Sequence, residues 1–258
     1  MTARPRRSVF ACAIFAASVT GALAGCSSSD TPVTSTTASS ATTTSATTTA
    51  AVPPTGVNPA STPESERALF DAVDRNDPAA VTAALTAGAN IEARGDGERT
   101  PLVEATKNNA VAAASTLILA GADVNAKDSM QDSAFLYSGA EGLNEILALT
   151  LSHGADVDSV NRYGGTALIP ASEHAHVETV RMLIAAGVPV NHVNDPGWTA
   201  LLEAVVYGDG SARYVDVITQ LLDAGADPSI RDASGKTALD NAESRGQSDV
   251  VALLQSRS

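Results

Sequence analysis

The amino-acid sequence predicts an all-α helix-turn-helix solenoid with short β-hairpin arms, preceded by a disordered linker, and three observations carry that reading. Gly88-Ala89-Asn90, Gly121-Ala122-Asp123, Gly154-Ala155-Asp156 and Gly187-Val188-Pro189 follow one another at 33-residue intervals, and Gly225-Ala226-Asp227 follows after 38. A second series keeps the same spacing and the same single slip: Thr100-Pro101-Leu102, Ser133-Ala134-Phe135, Thr166-Ala167-Leu168, Thr199-Ala200-Leu201 and Thr237-Ala238-Leu239. Two independent marks in step define a repeating structural unit. Aromatic residues make up only 3% of the chain, which suits closely packed helices with small side chains rather than a β-sandwich or an aromatic pocket.

Residues 1–25 read as a targeting segment. Arg4, Arg6 and Arg7 precede an apolar run from Val9 to Val19 that is too short to span a bilayer as a mature helix. The run ends in Leu23-Ala24-Gly25-Cys26, which resembles the lipobox of bacterial lipoproteins. That resemblance implies cleavage before Cys26 and a diacylglyceryl group on its sulfur. The expected localisation is extracytoplasmic, lipid-anchored to the cell membrane of a bacterium, because two acyl chains hold where one is marginal. An ordinary secretory signal followed by an incidental cysteine is the alternative.

Residues 26–63 comprise that cysteine and a tract of almost nothing but Ser, Thr, Ala and Pro. Such a tract buries too little apolar surface to offset the entropy of ordering, so a disordered linker is expected, with a root-mean-square span of about 35 Å. Its Ser, Thr and Pro content suits either a bare stalk or one carrying O-linked sugars.

Residues 64–258 form the repeat domain, with five repeats and a C-terminal partial repeat. The first repeat has Arg67-Ala68-Leu69 in place of the Thr-Pro-Leu start, as a capping unit would. In the others, the Thr hydroxyl is placed to cap a helix, and Pro101 suits the first turn. Leu102, Leu168, Leu201 and Leu239, each followed three residues later by Ala, lay an apolar stripe on a short helix. A second helix follows, as in Val177 to Ala185 or Val215 to Asp223, and Gly ends it because the chain must turn through positive φ. The 38-residue interval places five extra residues near Gly208 to Tyr214, where Gly208-Asp209-Gly210-Ser211 predicts a loop between the two helices. A single unit cannot bury its own face, so stability comes from stacking on neighbours.

Over about residues 64–258 the chain resembles the ankyrin-repeat proteins. The resemblance rests on Asn161-x-x-Gly164-x-Thr166-Ala167-Leu168 and on Leu119-Ala120-Gly121-Ala122-Asp123-Val124-Asn125. There are departures: Val103, Leu136, Ile169, Leu202 and Asp240 replace a His common in that family, and Glu98 and Gln131 stand where the turn Gly is usual. Those two hairpins are therefore expected to be less regular. The resemblance implies non-catalytic protein binding by a groove of hairpin tips and first-helix faces.

On that groove the candidate partner-binding residues are Arg99, Met130, Asp132, Arg162, Tyr163, Asp195, Trp198 and Glu203, with Glu104 and Tyr137 beside them. Trp, Tyr and Arg dominate binding hot spots. Trp198, the single tryptophan, is expected to project from a tip; the alternative is that it folds back over the helix ends of its own stack.

A formal charge of −13, from 16 basic and 29 acidic residues, argues against nucleic acid as a partner. Cys12 and Cys26 both lie in the first tenth of the chain, so no disulfide framework holds the repeats. No nucleophile elbow, phosphate-cradling loop or cofactor motif is present, and no catalytic residue is assigned. His153, His174, His176 and His192 read as scattered surface and turn residues, so no metal is expected. The expected function is a monomeric scaffold or adaptor module that binds an unidentified protein and meets the membrane through its lipid anchor alone. An inhibitor or immunity-type lipoprotein that occludes a toxin or enzyme is the alternative. A solute-binding or enzymatic lipoprotein stands behind both, because the 33-residue register leaves no room for a two-lobed fold.

Overall fold

The computed structural model describes residues 61–257. The predicted signal segment, Cys26 and the linker up to residue 60 lie outside the described residues. Among the described residues no helix is long and apolar enough to cross a membrane.

Twelve α-helices form six helix-turn-helix pairs: α1 (Pro63–Asp74) with α2 (Pro78–Thr86), α3 (Pro101–Lys107) with α4 (Val111–Leu119), α5 (Ala134–Ala140) with α6 (Asn144–Ser152), α7 (Leu168–Glu173) with α8 (Val177–Ala185), α9 (Ala200–Val206) with α10 (Ala212–Asp223), and α11 (Ala238–Ser244) with α12 (Ser248–Gln255). The first helices stack in one row and the second helices in another, each touching its counterpart in the next pair. Helix α1 starts one residue before the predicted boundary, because Thr62 caps it in a reciprocal box with Ser65.

Three of the four predicted threonine caps form, and Ser133 caps α5 in the same way. Thr100, Ser133, Thr199 and Thr237 accept from the amides of Val103, Leu136, Leu202 and Asp240. Thr166 does not: Ala167 occupies the cap position of α7, and the buried Thr166 hydroxyl has no partner. Pro170 explains the exception. In α3 and α9 the amides of Glu104 and Glu203 donate to the carbonyls of Thr100 and Thr199 at 2.9 Å. Proline has no such amide, so Ile169 N–H bonds the Thr166 carbonyl at 3.2 Å instead and is withdrawn from the hydroxyl.

Five of the second helices end at Gly88, Gly121, Gly154, Gly187 and Gly225, with φ between 85° and 96°. The arms that follow are tight turns, and no strand forms among the described residues. Each arm is closed at its base by a backbone bond of 2.9–3.0 Å, from Gly95 to Arg99, Asp128 to Asp132, Asn161 to Gly165, Asn194 to Trp198 and Asp232 to Lys236, around a tighter bond between residues three apart. With one closing pair per arm there is no ladder to extend. Glu98 and Gln131 adopt φ of 58° and 61°, the region that glycine occupies in the other arms, and still close the same turn. The expected irregularity is confined to a short 3-10 turn at Asp96–Glu98.

The five extra residues divide between loop and helix. The turn between α9 and α10 is two residues longer than that between α7 and α8, and α10 has 12 residues where α8 has 9. The insertion is anchored on both sides: at the start of α10 Tyr214 Oη donates to the Glu173 carbonyl at 2.8 Å and Arg213 to that of Ala175 at 2.9 Å, while Gln247 from the last pair donates to the loop carbonyl of Gly208 at 2.8 Å.

The core lies between the two rows of helices. Leu69, Leu102, Leu117 and Ile146 belong to an N-terminal cluster, and Phe135, Leu147, Leu168, Leu183, Leu201, Ile218 and Leu221 to a C-terminal one. The two meet inside the third pair, where α5 and α6 each contribute side chains to both.

Candidate functional site

Four of the five arms hold their shape through one side chain each; the first starts with Gly95 and has none. Asp128 Oδ1 accepts from the amides of Met130 and Asp132, Asn161 Oδ1 from Tyr163 and Gly165, Asn194 Oδ1 from Trp198, and Asp232 Oδ1 from Ser234 and Lys236. A short carboxylate or amide at the start of a turn satisfies amides that would otherwise be free. The turn therefore has a defined tip and a defined base.

That geometry splits the predicted partner-binding residues into two groups. Met130, Arg162, Tyr163 and Asp195 stand at the tips and are exposed. The Arg162 guanidinium lies 4.6 Å from the centre of the Tyr163 ring, and the Asp195 amide bonds the Tyr163 carbonyl at 2.9 Å, so two successive tips form one edge. Arg99, Asp132 and Trp198 occupy the last arm position, immediately before the capping residue. That position faces the first helices rather than the tip.

Arg99 accordingly pairs with Glu104 at 3.0 Å, and Asp132 with Lys107 at 2.9 Å. Trp198 does not project: it is half-buried against the core and lies 6.2 Å, centroid to centroid, from Tyr207 at the end of α9. The expectation of an exposed tryptophan at a tip is corrected, and the physical reason is its place at the arm base. Glu203 is corrected as well. It is buried, 7% exposed, rather than presented on the first-helix surface. Its Oε1 accepts from Asn194 Nδ2 at 3.3 Å, while its Oε2 has no partner. Burial, reinforced by nearby Glu173 and only partly offset by Asn194, pushes its carboxyl up to about 7.

Two residues of this face were not foreseen. Lys107 ties the second pair to the third, since it bonds Asp132, approaches Asp128 at 3.3 Å and sits 4.3 Å from the Tyr137 ring centre. Tyr207, 56% exposed, completes the aromatic pair with Trp198. Both were detectable: each lies three or four residues beyond a first-helix position already assigned to the groove, which is one helical turn. Glu141 continues the face, its carboxyl raised by burial against the opposing pull of His174 and Lys107.

The recurring Asp residues have a local role. Asp123, Asp156 and Asp227 accept from the amides two residues on, at 2.8–3.1 Å. His174 and His176 rings lie 5.7 Å apart, and burial lowers the His176 imidazole below its ordinary value. Among the described residues no group of three His, Cys, Asp or Glu side chains gathers as a metal site would require.

The comparisons with known proteins agree with this architecture. A family profile for ankyrin repeats in three copies matches residues 135–232, and a single ankyrin repeat profile matches residues 97–129. An ankyrin repeat domain from Acinetobacter baumannii AYE is similar at 51% identity and a TM-score of 0.71, over 73% of this chain and 96% of that one. The ankyrin repeat protein EF0377 is similar at 39% identity and a TM-score of 0.71, over 74% of this chain and 97% of that one. The chain belongs to the ankyrin-repeat family, whose stacked repeats are protein–protein interaction modules.

Proposed function

We propose that this protein is a non-catalytic scaffold or adaptor, a monomeric repeat domain that binds a protein partner and is displayed on the outer side of a bacterial membrane by a lipid on Cys26. The observation that carries the binding surface is the edge made by successive arm tips. Met130 and Tyr163 are 45% and 39% exposed on turns closed by backbone bonds and locked by Asp128 and Asn161. Such turns lose little freedom on binding, which lowers the cost of association. The cation held over the Tyr163 ring adds a residue type common in interface hot spots. The lipobox-like segment ending at Cys26 supports the membrane display.

Affinity capture from intact cells with the anchored protein tests the reading. Tyr163→Ala is expected to weaken the captured partner by about 2 kcal/mol and leave the helical circular dichroism unchanged. Metabolic labelling with a fatty-acid analogue should mark the natural protein and not Cys26→Ala. Capture of a secreted toxin or hydrolase whose activity falls on binding would shift the reading from adaptor to inhibitor.

A further inference from the structure

We infer that the inner face between α7 and α9 is a receptor for one cationic side chain, an arginine or lysine of the protein partner, with Glu203 and Glu173 as its anions and Trp198 and Tyr207 as its aromatic wall. The inference deepens the interaction reading above and rests on it.

Glu203 is the anomaly in its column. At the equivalent position of the second pair, Glu104 receives Arg99 at 3.0 Å, and in the sixth pair Asn241 donates to Asp232 at 2.9 Å. Glu203 has a single bond of 3.3 Å to Asn194, and its second oxygen is enclosed without a partner although the residue is 93% buried. The charged group that acts on it is another acid, Glu173, on the adjoining helix of the stack. Among the described residues no ion pair reaches either carboxylate. A buried carboxylate facing a like charge and lacking a cation is costly, and a guanidinium or ammonium from outside supplies what the fold withholds.

The rings complete the complementarity. Trp198 and Tyr207 are tilted by 53° at 6.2 Å, and Tyr207 is 56% exposed, one turn along α9 from Glu203. A planar cation entering along the exposed Tyr207, one helical turn from Glu203, meets an aromatic face near the carboxylate, an arrangement worth more once water is excluded. The same groove already holds a cation over a ring, at Lys107 and Tyr137. A chain with an excess of 13 negative charges also attracts a basic segment over distance.

Trp198 is the only tryptophan, so its emission reports on this site in the full-length protein. The probe is acetyl-Leu-Arg-Leu-amide at about pH 8, where Glu203 is mainly ionised; acetyl-Leu-Gln-Leu-amide is the control. The Arg peptide should shift the emission saturably and bind at least about tenfold tighter than the Gln peptide. Glu203→Gln should abolish that preference and Glu173→Gln reduce it about threefold, whereas Glu145→Gln, on the exposed face of α6, should leave it intact. Thermal melts confirm that the variants are folded. Equal binding of the two peptides, or an undiminished preference in Glu203→Gln, overturns the inference. If the preference is absent while Tyr163→Ala still loses the captured partner, the cation receptor falls and the interaction surface at the tips stands.

Discussion

The first three helix pairs and the last three hold their arms together differently. In the N-terminal half, polar side chains step from arm to arm. Glu92 accepts from the Asp123 amide, and Asn125 accepts from the Asp156 amide while donating to the Gly154 carbonyl. Arg94 donates to the Lys127 carbonyl, and Lys127 in turn to that of Val160. The ladder stops at the next joint. Asp158 stands where Asn125 stood and has no amide to give, Pro189 has no N–H to donate, and Val160 has no side-chain donor. That joint is held at the outer arm, by His192 bonding the Gly164 carbonyl at 2.6 Å and by the Asp195 amide on Tyr163, a tip bond that the first joint also has in the Ser129 amide on Gly97. Asn191 then resumes the ladder with Gly225 and Asp227. The lesson is that joints differ in where they are tied: the first is tied at both arm base and arm tip, the third at the outer arm alone, and the helices keep their register in both.

The most severe way to probe this comparison is through the core. Leu117 in the N-terminal cluster and Leu168 in the C-terminal one are both fully buried. Either Leu→Ala change should cost about 2–5 kcal/mol. Because α5 and α6 belong to both clusters, denaturant melts should still show one transition. Two separated transitions would mean that the halves fold independently.

A second test concerns the buried acid of the C-terminal half. The Glu203 carboxyl stands at about 7 in the folded chain against 4.5 for an ordinary glutamate. The folded state therefore holds a proton that the unfolded state has released. Stability from this group is full below about pH 4.5, falls as pH rises through about 7, and is flat above. At 1.36 kcal/mol per unit the effect is about 3 kcal/mol. Glu203→Gln should remove that slope and be the more stable protein above neutral pH. Parallel melts of the two proteins across pH 5 to about 8 check the sign.

The smallest expected effect addresses the ladder itself. Asn191→Ala removes both a donor and an acceptor between arms, and should cost about 1 kcal/mol. Asp158→Ala, at the joint without a ladder, keeps every inter-arm bond and should stay within about 0.5 kcal/mol. Equal losses at the two positions would show that the ladder does not set joint strength.

Much of this molecule is legible in the chain. Helix caps, glycine helix ends and the place of the insertion depend on residues within one turn of each other. Even the failed cap at Thr166 is readable, since Pro170 lacks the amide that would bond the Thr166 carbonyl and the Ile169 amide is drawn there instead of to the hydroxyl, and the same holds for the ladder gap at Asp158 and Pro189. The tip residues Met130, Tyr163 and Asp195 fall where the turn chemistry puts them. Lys107 was legible only as a charge; its role depends on Asp132 and Tyr137, which come from the next pair.

What the sequence by itself determined is the unit, a pair of short helices, a glycine stop and a tight turn, in five repeats and a C-terminal partial one with one slip. Only the tertiary structure decided which side chains disappear from solvent. Trp198 lies against the core and Tyr207, and Glu203 loses its water beneath neighbours from α7 and its own arm. Burial is a property of what the next repeat brings alongside, and no residue carries that in its own position along the chain.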